Sequence, residues 1–267
     1  RRPAGPEARP SATALVVADA PVGAVVPVVA DAATDVARAD ALADALGAPH
    51  LARDAWAAGA GGPVVLWVDA QGLGLRGPAQ ARAAAVRPTP PPAGGRPGRE
   101  PLLRAVGVGD EVIDATAGWG VDAGVLAAAG RRVTMIERHP VLAALLRDAL
   151  ARWRAEGRPG AERLVLLEGD ARTLLGDLRA DVVLLDPMYP ERGKAARKGE
   201  DLVLARRLVG DDPDQGDLLA AACAAARRRV VVKRPRTAPP LAGRTPTGGI
   251  EGRTTRFDLY PPSEAST

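Results

Sequence analysis

Four short apolar runs, at residues 111–114, 132–136, 164–167 and 181–185, constrain this chain more than any other feature. Each is too short for a buried helix, and each is followed by turn-forming or charged residues. Neighbouring parallel strands need a crossover connection, commonly a helix, and helical spacing recurs between the runs. Pro140 starts such a helix, in which Val141, Leu142, Leu145, Leu146, Leu150 and Trp153 share one face. Residues 121–129 form another, closed by Gly130, and residues 201–208 and 217–226 have helical character. Residues 229–232 make a fifth strand. Gly248-Gly249 and Gly252 then punctuate two extended stretches, the second at 256–260, which fit a closing antiparallel hairpin. The expected fold is α/β and Rossmann-like, with a mostly parallel seven-stranded sheet.

The chain ahead of this pattern is less explicit. Residues 1–10 are rich in Pro and Arg and read as disordered. Short strands are expected at 14–18, 25–30 and 64–69, and an amphipathic helix at 34–46 ending at Gly47. Residues 1–86 thus read as a small N-terminal α/β unit. Residues 87–99, with five Pro and three Gly, read as a linker, and 100–262 as the main domain.

Several classes are excluded. A single cysteine, Cys223, allows no internal disulfide and no cysteine-based zinc site, and its apolar surroundings make it a buried helix position. With only His50 and His139, no His-rich metal centre is expected. No run approaches the ~20 apolar residues of a membrane span, and Asp19, Pro21 and Pro27 interrupt what could pass for an export signal, so a cytoplasmic protein is expected.

The candidate chemistry lies where the strands end, as in other open α/β sheets. Asp114-Ala-Thr-Ala-Gly-Trp-Gly120 follows the first run of the main domain, and Ala117, Gly118 and Gly120 let backbone approach a ligand. Gly118, Gly120 and Ala123 also satisfy the dinucleotide fingerprint, which leaves an NAD-dependent oxidoreductase open. Four acidic positions favour S-adenosylmethionine instead: Asp114, Glu137, Asp170 and the Asp186-Pro187-Met188-Tyr189-Pro190 stretch. That cofactor carries a sulfonium, an ammonium, a ribose diol and an adenine amine but no phosphate, so carboxylates suit it and would repel a pyrophosphate. Glu137 suits the diol, Asp170 the adenine amine, and Asp114 with Asp122 the methionine end.

The charge is uneven. Against a formal total of +4, residues 227–256 hold nine Lys or Arg and one acid, a basic face of the kind that meets a phosphate-bearing partner. Of 36 basic residues only Lys194, Lys198 and Lys233 are Lys, and all three follow strand ends.

Five segments carry a specific resemblance: Asp114-Ala-Thr-Ala-Gly-Trp-Gly120, Met135-Ile-Glu-Arg-His-Pro-Val141, Leu184-Leu-Asp-Pro-Met-Tyr-Pro190, Val230-Val-Val-Lys-Arg-Pro235 and Arg256-Phe-Asp-Leu-Tyr260. In this order they resemble the bacterial small-subunit methyltransferase J family, which methylates the N2 amine of a guanine in 16S ribosomal RNA. The likeness runs from about Gly94 to Tyr260, and the N-terminal part matches only loosely. It implies S-adenosylmethionine as cofactor, held by Val121-Asp122, Glu137-Arg138, Asp170-Ala171 and Asp186. It implies 16S ribosomal RNA or the small subunit as partner, with no metal and no membrane. Asp186 and Pro187 would accept hydrogen bonds from the guanine amine and Tyr189 would stack on the base. Lys194, Arg197, Lys198, Lys233 and Arg234 would hold flanking phosphates. Asp-Pro-x-Tyr alone leaves DNA adenine and protein glutamine as other acceptors.

Overall fold

The computed structural model describes residues 25–77, 84–91, 100–187, 208 and 214–263. The expected strand at 14–18, the expected helix at 201–208 apart from Leu208, and the candidate residues Tyr189, Lys194, Arg197 and Lys198 lie outside them.

Among the described residues there are two sheets. The first contains β1 (Val28–Ala30), β2 (His50–Leu51), β3 (Val65–Asp69) and β4 (Gly72–Arg76), in the order β2-β1-β3-β4. Its first three strands pair in parallel, with α1 (Val36–Leu46) and α2 (Arg53–Ala57) in the connections, and β4 returns antiparallel against β3. Strand β4 is absent from the sequence reading because its Gly-Leu-Gly-Leu pattern lacks β-branched residues. A Cβ on Gly74 would meet the Ala85 side chain at 2.8 Å, so the small residue answers to close packing.

The second sheet follows α3 (Pro101–Val106). It contains β5 (Glu111–Asp114), β6 (Arg132–Glu137), β7 (Leu164–Glu168), β8 (Ala180–Leu185), β9 (Ala226–Pro235), β10 (Gly248–Glu251) and β11 (Thr255–Tyr260). Its order is β10-β11-β9-β8-β5-β6-β7, parallel from β9 to β7 and closed by the antiparallel β10–β11 hairpin, as expected. The crossovers include α4 (Val121–Ala128), α5 (Pro140–Ala155), α6 (Ala171–Leu174) and α7 (Gln215–Ala225). Strand order reverses between β5 and β8, and the crevice at their carboxyl ends is where an open α/β sheet takes its ligand.

Helix α5 joins the two sheets. Leu146, Ala149, Leu150 and Trp153 pack with the seven-stranded sheet, while Val141, Leu142, Ala144 and Leu145 pack with β1, β3 and β4. Asp148 fixes the seam: its Oδ2 accepts from the Leu73 backbone at 2.9 Å and its Oδ1 from Arg38 at 2.5 Å. Cys223 is buried in α7. Among the described residues no helix is long and apolar enough to cross a membrane.

Strand β9 corrects the sequence reading. Four residues were expected and ten are extended, because β8 pairs along one side and β11 along the other, and two hydrogen-bonded ladders override a charged composition. At ~3.3 Å per residue, Arg227 and Pro235 stand up to about 26 Å apart. The basic stretch at 227–256 is therefore divided between two ends of the sheet and is not one face.

Candidate active site

Register assembles the centre of the crevice. Asp114 is paired with Leu184 and Leu185 with Val232, so Asp186 and Lys233, each next along its chain, come level on adjacent parallel strands. The first turn of α4 brings in Asp122. Lys233 Nζ lies 2.7 Å from Asp122 Oδ2 and 3.0 Å from Asp186 Oδ2. Asp186 is also held by its main chain, since its N–H donates to Thr116 Oγ1 at 2.6 Å.

Two carboxylates thus share one ammonium, with the carboxyl of Asp114 buried nearby. Asp114 is 2% exposed. Burial, reinforced by the neighbouring Asp122 charge and opposed by the Thr116 backbone hydrogen bond, pushes its carboxyl up to about 8. Burial also pushes Asp186 up, with Lys233 opposing and Asp122 adding. Its side chain nonetheless keeps 42% of its surface, so it is walled by protein yet open towards the crevice mouth. Burial works against the charge on Lys233, but Asp186 and Asp122 outweigh it and hold the ammonium above its usual range.

The glycine turn and Glu137 form the adjoining part. Gly118 N–H donates to Glu137 Oε2 at 2.8 Å and His139 N–H to Glu137 Oε1 at 2.7 Å, while Ala117 N–H donates to the Ile136 carbonyl. Glu137 is 6% exposed, and burial raises its pKa against those two hydrogen bonds. The backbone N–H of Arg138 adds a third hydrogen bond, and the acceptor capacity of the carboxylate that remains suits a hydroxyl group. Gly120 has φ +71°, and a Cβ there would stand 2.9 Å from Leu146 Cδ2, so the turn requires glycine twice over. Val121 and Arg138 are exposed beside this turn.

Asp170 is placed differently. It caps α6, accepting from the Arg172 backbone at 2.9 Å, and its carboxylate is clasped by the Arg172 side chain at 2.6 Å. The Arg172 hydrogen bond lowers its pKa, and Arg172 also reaches Asp214 at 2.7 Å. Ala171 is buried behind it.

The expectation that Lys233 and Arg234 face the same phosphates does not survive the strand. Successive residues of a strand point to opposite faces. Lys233 enters the crevice, while Arg234 is 2% exposed and donates to the Pro239 carbonyl. Burial brings the Arg234 guanidinium down to about 10.

Two residues of the site were missed. Thr116 is the hydroxyl of the glycine turn at the point where the turn passes β8, and that position was its one available signal. His139 is buried and hydrogen-bonds the Leu208 backbone, with burial lowering its pKa. Nothing in the sequence marks that contact.

The donors suit S-adenosylmethionine. Asp122 and Asp186 against the single ammonium of Lys233, with the buried Asp114 carboxyl beside them, leave an excess of acidic groups for a sulfonium and an ammonium. A pyrophosphate would meet Asp122 in the first helical turn and a Gly118 N–H already given to Glu137, which disfavours the dinucleotide reading.

Comparison with known proteins agrees. The family described as "Putative SAM-dependent methyltransferase" matches residues 92–262. Ribosomal RNA small subunit methyltransferase J of Thioalkalivibrio sulfidiphilus is 46% identical over 245 residues, covering 84% of this chain and 92% of that protein. The protein of the same name from Rhodopseudomonas palustris is 51% identical over 167 residues, covering 60% and 82%. The crystal structure of a SAM-dependent methyltransferase from Neisseria gonorrhoeae superposes with a TM-score of 0.63 at 30% identity, covering 90% of this chain and 98% of that one. The chain belongs to the SAM-dependent methyltransferases, in the ribosomal RNA small subunit methyltransferase J family.

Proposed function

We propose that this chain transfers a methyl group from S-adenosylmethionine to the exocyclic N2 amine of a guanine in the 16S ribosomal RNA of the small subunit. The observation that carries the reading is the 46% identity, over most of both chains, to a protein named for methylating small-subunit ribosomal RNA. The Asp186-Pro187 strand end supports it chemically. The site would work where ribosomal subunits are assembled, in the cytoplasm.

The N2 lone pair of guanine is delocalised into the ring and is a poor nucleophile. Hydrogen bonds from the NH2 group to the Asp186 carboxylate and the Pro187 carbonyl localise that pair and aim it. The bound cofactor supplies a methyl group on a sulfonium, an electrophile needing no metal. Glu137 and the backbone of the 117–120 turn hold the nucleoside part, and Asp114 and Asp122 face the cationic end. The base reaches the crevice only when unpaired or flipped, and Tyr189 is assigned to stack on it. The methylated nitrogen is acidic and sheds its proton to solvent.

The test is transfer of tritiated methyl from S-adenosylmethionine into isolated small subunits, followed by nucleoside analysis. Label in N2-methylguanosine is expected. Label appearing only in protein glutamine, or in DNA adenine when DNA is offered instead while the subunits stay unlabelled, would overturn the substrate assignment.

A further inference from the structure

Lys233 is one of three Lys among 36 basic residues, and it stands inside the crevice. Arginine is the chain's habitual cation and a lysine here marks a place where a compact, single-point charge is wanted. Its geometry is specific: the ammonium touches one oxygen of Asp122, from α4, and one oxygen of Asp186, the residue after β8. The main chain of Asp186 is pinned separately by Thr116. With the backbone fixed by one bond and Oδ2 by another, the carboxylate plane has little freedom left.

We infer that Lys233 is a positioning residue for methyl transfer: anchored on Asp122, its ammonium fixes the Asp186 carboxylate through Oδ2 and turns Oδ1 towards the substrate amine. The inference rests on the methyl-transfer reading above and adds a role to it. An acceptor for an NH2 group must be both oriented and ionised. Burial and the neighbouring Asp122 charge both favour the protonated form of Asp186. The ammonium between Asp122 and Asp186 opposes both effects and enlarges the ionised fraction of Asp186. A phosphate contact, the role expected from sequence, would instead need Lys233 to leave both carboxylates behind in the crevice.

The experiment is single-turnover methyl transfer by the full chain, with S-adenosylmethionine and isolated small subunits, followed across about pH 5 to 9. Removing an opposite charge raises a carboxylate pKa, so Lys233→Met should move the acid limb of the rate profile upwards by ~1–3 pH units. The rate at the plateau should fall while KM for the RNA stays close to wild type. Lys233→Arg keeps the charge and should return the limb towards its original position. Asp122→Asn leaves the ammonium to Asp186 alone, so its limb should move downwards. Asp114 is the third acid facing the pair. Repeating the profile in Asp114→Asn assigns the limb, which persists there if Asp186 owns it.

An acid limb in Lys233→Met at the wild-type pH would overturn the inference. So would a loss confined to KM for RNA with a flattened salt dependence, which is the signature of a phosphate contact. Where Lys233→Met does not fold, by circular dichroism, the Asp122→Asn profile decides, and an unmoved limb there counts against the inference. A wild type that transfers no methyl group removes the function proposed above, whereas an active wild type indifferent to Lys233 removes this inference alone.

Discussion

At the scale of single residues the site is a set of acids in unlike environments, and each environment makes its own prediction. Asp114 has a folded pKa of about 8, well above that of an unfolded chain, so between about pH 4 and 8 the folded state holds a proton that the unfolded state has lost. Stability should therefore fall as pH rises through that window, by up to ~1.4 kcal/mol per pH unit, and level off above it. Asp114→Asn removes the term, so urea denaturation should find the variant gaining on wild type as pH rises. A constant difference would mean that Asp114 is ionised in the fold. Glu137→Ala should weaken S-adenosylmethionine binding tenfold to a hundredfold, since hydrogen bonds to a charged group are worth about 1.5–3 kcal/mol. Calorimetry returning wild-type affinity would refute the ribose assignment. Asp186→Ala should lower turnover by orders of magnitude while the cofactor still binds. The positions of these acids were legible in the sequence because each follows an apolar run. Their partners were not, because the ion pair of Lys233 with Asp122 spans 111 positions and depends on strand register.

At the scale of elements, legibility followed the local signal. Strand β5 and helix α5 start where the sequence places them, because an apolar run between turn residues and a Pro-initiated helical stripe are local patterns. Strands β2 and β4, helix α3 and the ends of β9 escaped, because pairing with neighbours and close packing decide them. Helix α5 shows the difference well: its apolar stripe predicts a core face, yet Leu145 and Leu146 serve two different sheets. Both are fully buried, so Leu145→Ala and Leu146→Ala should each cost about 2–5 kcal/mol. Leu146 also packs beneath Gly120, so its loss should loosen the cofactor turn as well. Calorimetry should then show Leu146→Ala weakening cofactor binding more than Leu145→Ala at equal loss of stability, and equal weakening would mean that the turn is rigid without that contact.

At the scale of the molecule, the question is which cations stand around the methyl-transfer crevice and which only share a stretch of sequence with those that do. Arg227 belongs to the far end: it is the second residue of β9, bonds Glu111 at 2.8 Å, and lies most of a strand length from Lys233. Arg234 is inside the protein. At the near end, pairing of Thr255 with Pro235 sets the tip of the β10–β11 hairpin level with the end of β9, and exposed Arg236 and Arg253 stand there together. Arg236 is paired with Glu251 at 3.2 Å, an exposed ion pair worth about 0–1 kcal/mol and readily exchanged for a phosphate. Single-stranded RNA gives a slope of roughly −0.7 per phosphate contact in log affinity against log salt. Replacing Arg236 and Arg253 together by Ala should accordingly weaken RNA binding and flatten that slope by about 1.4, while S-adenosylmethionine affinity stays as it was. The same double replacement at Arg227 and Arg228 should leave the slope alone, because those side chains are on the other end of the sheet. Filter binding across a salt series separates the two, and a slope that responds to Arg227 and Arg228 but not to Arg236 and Arg253 would put the RNA on the opposite end of the sheet from the carboxylates.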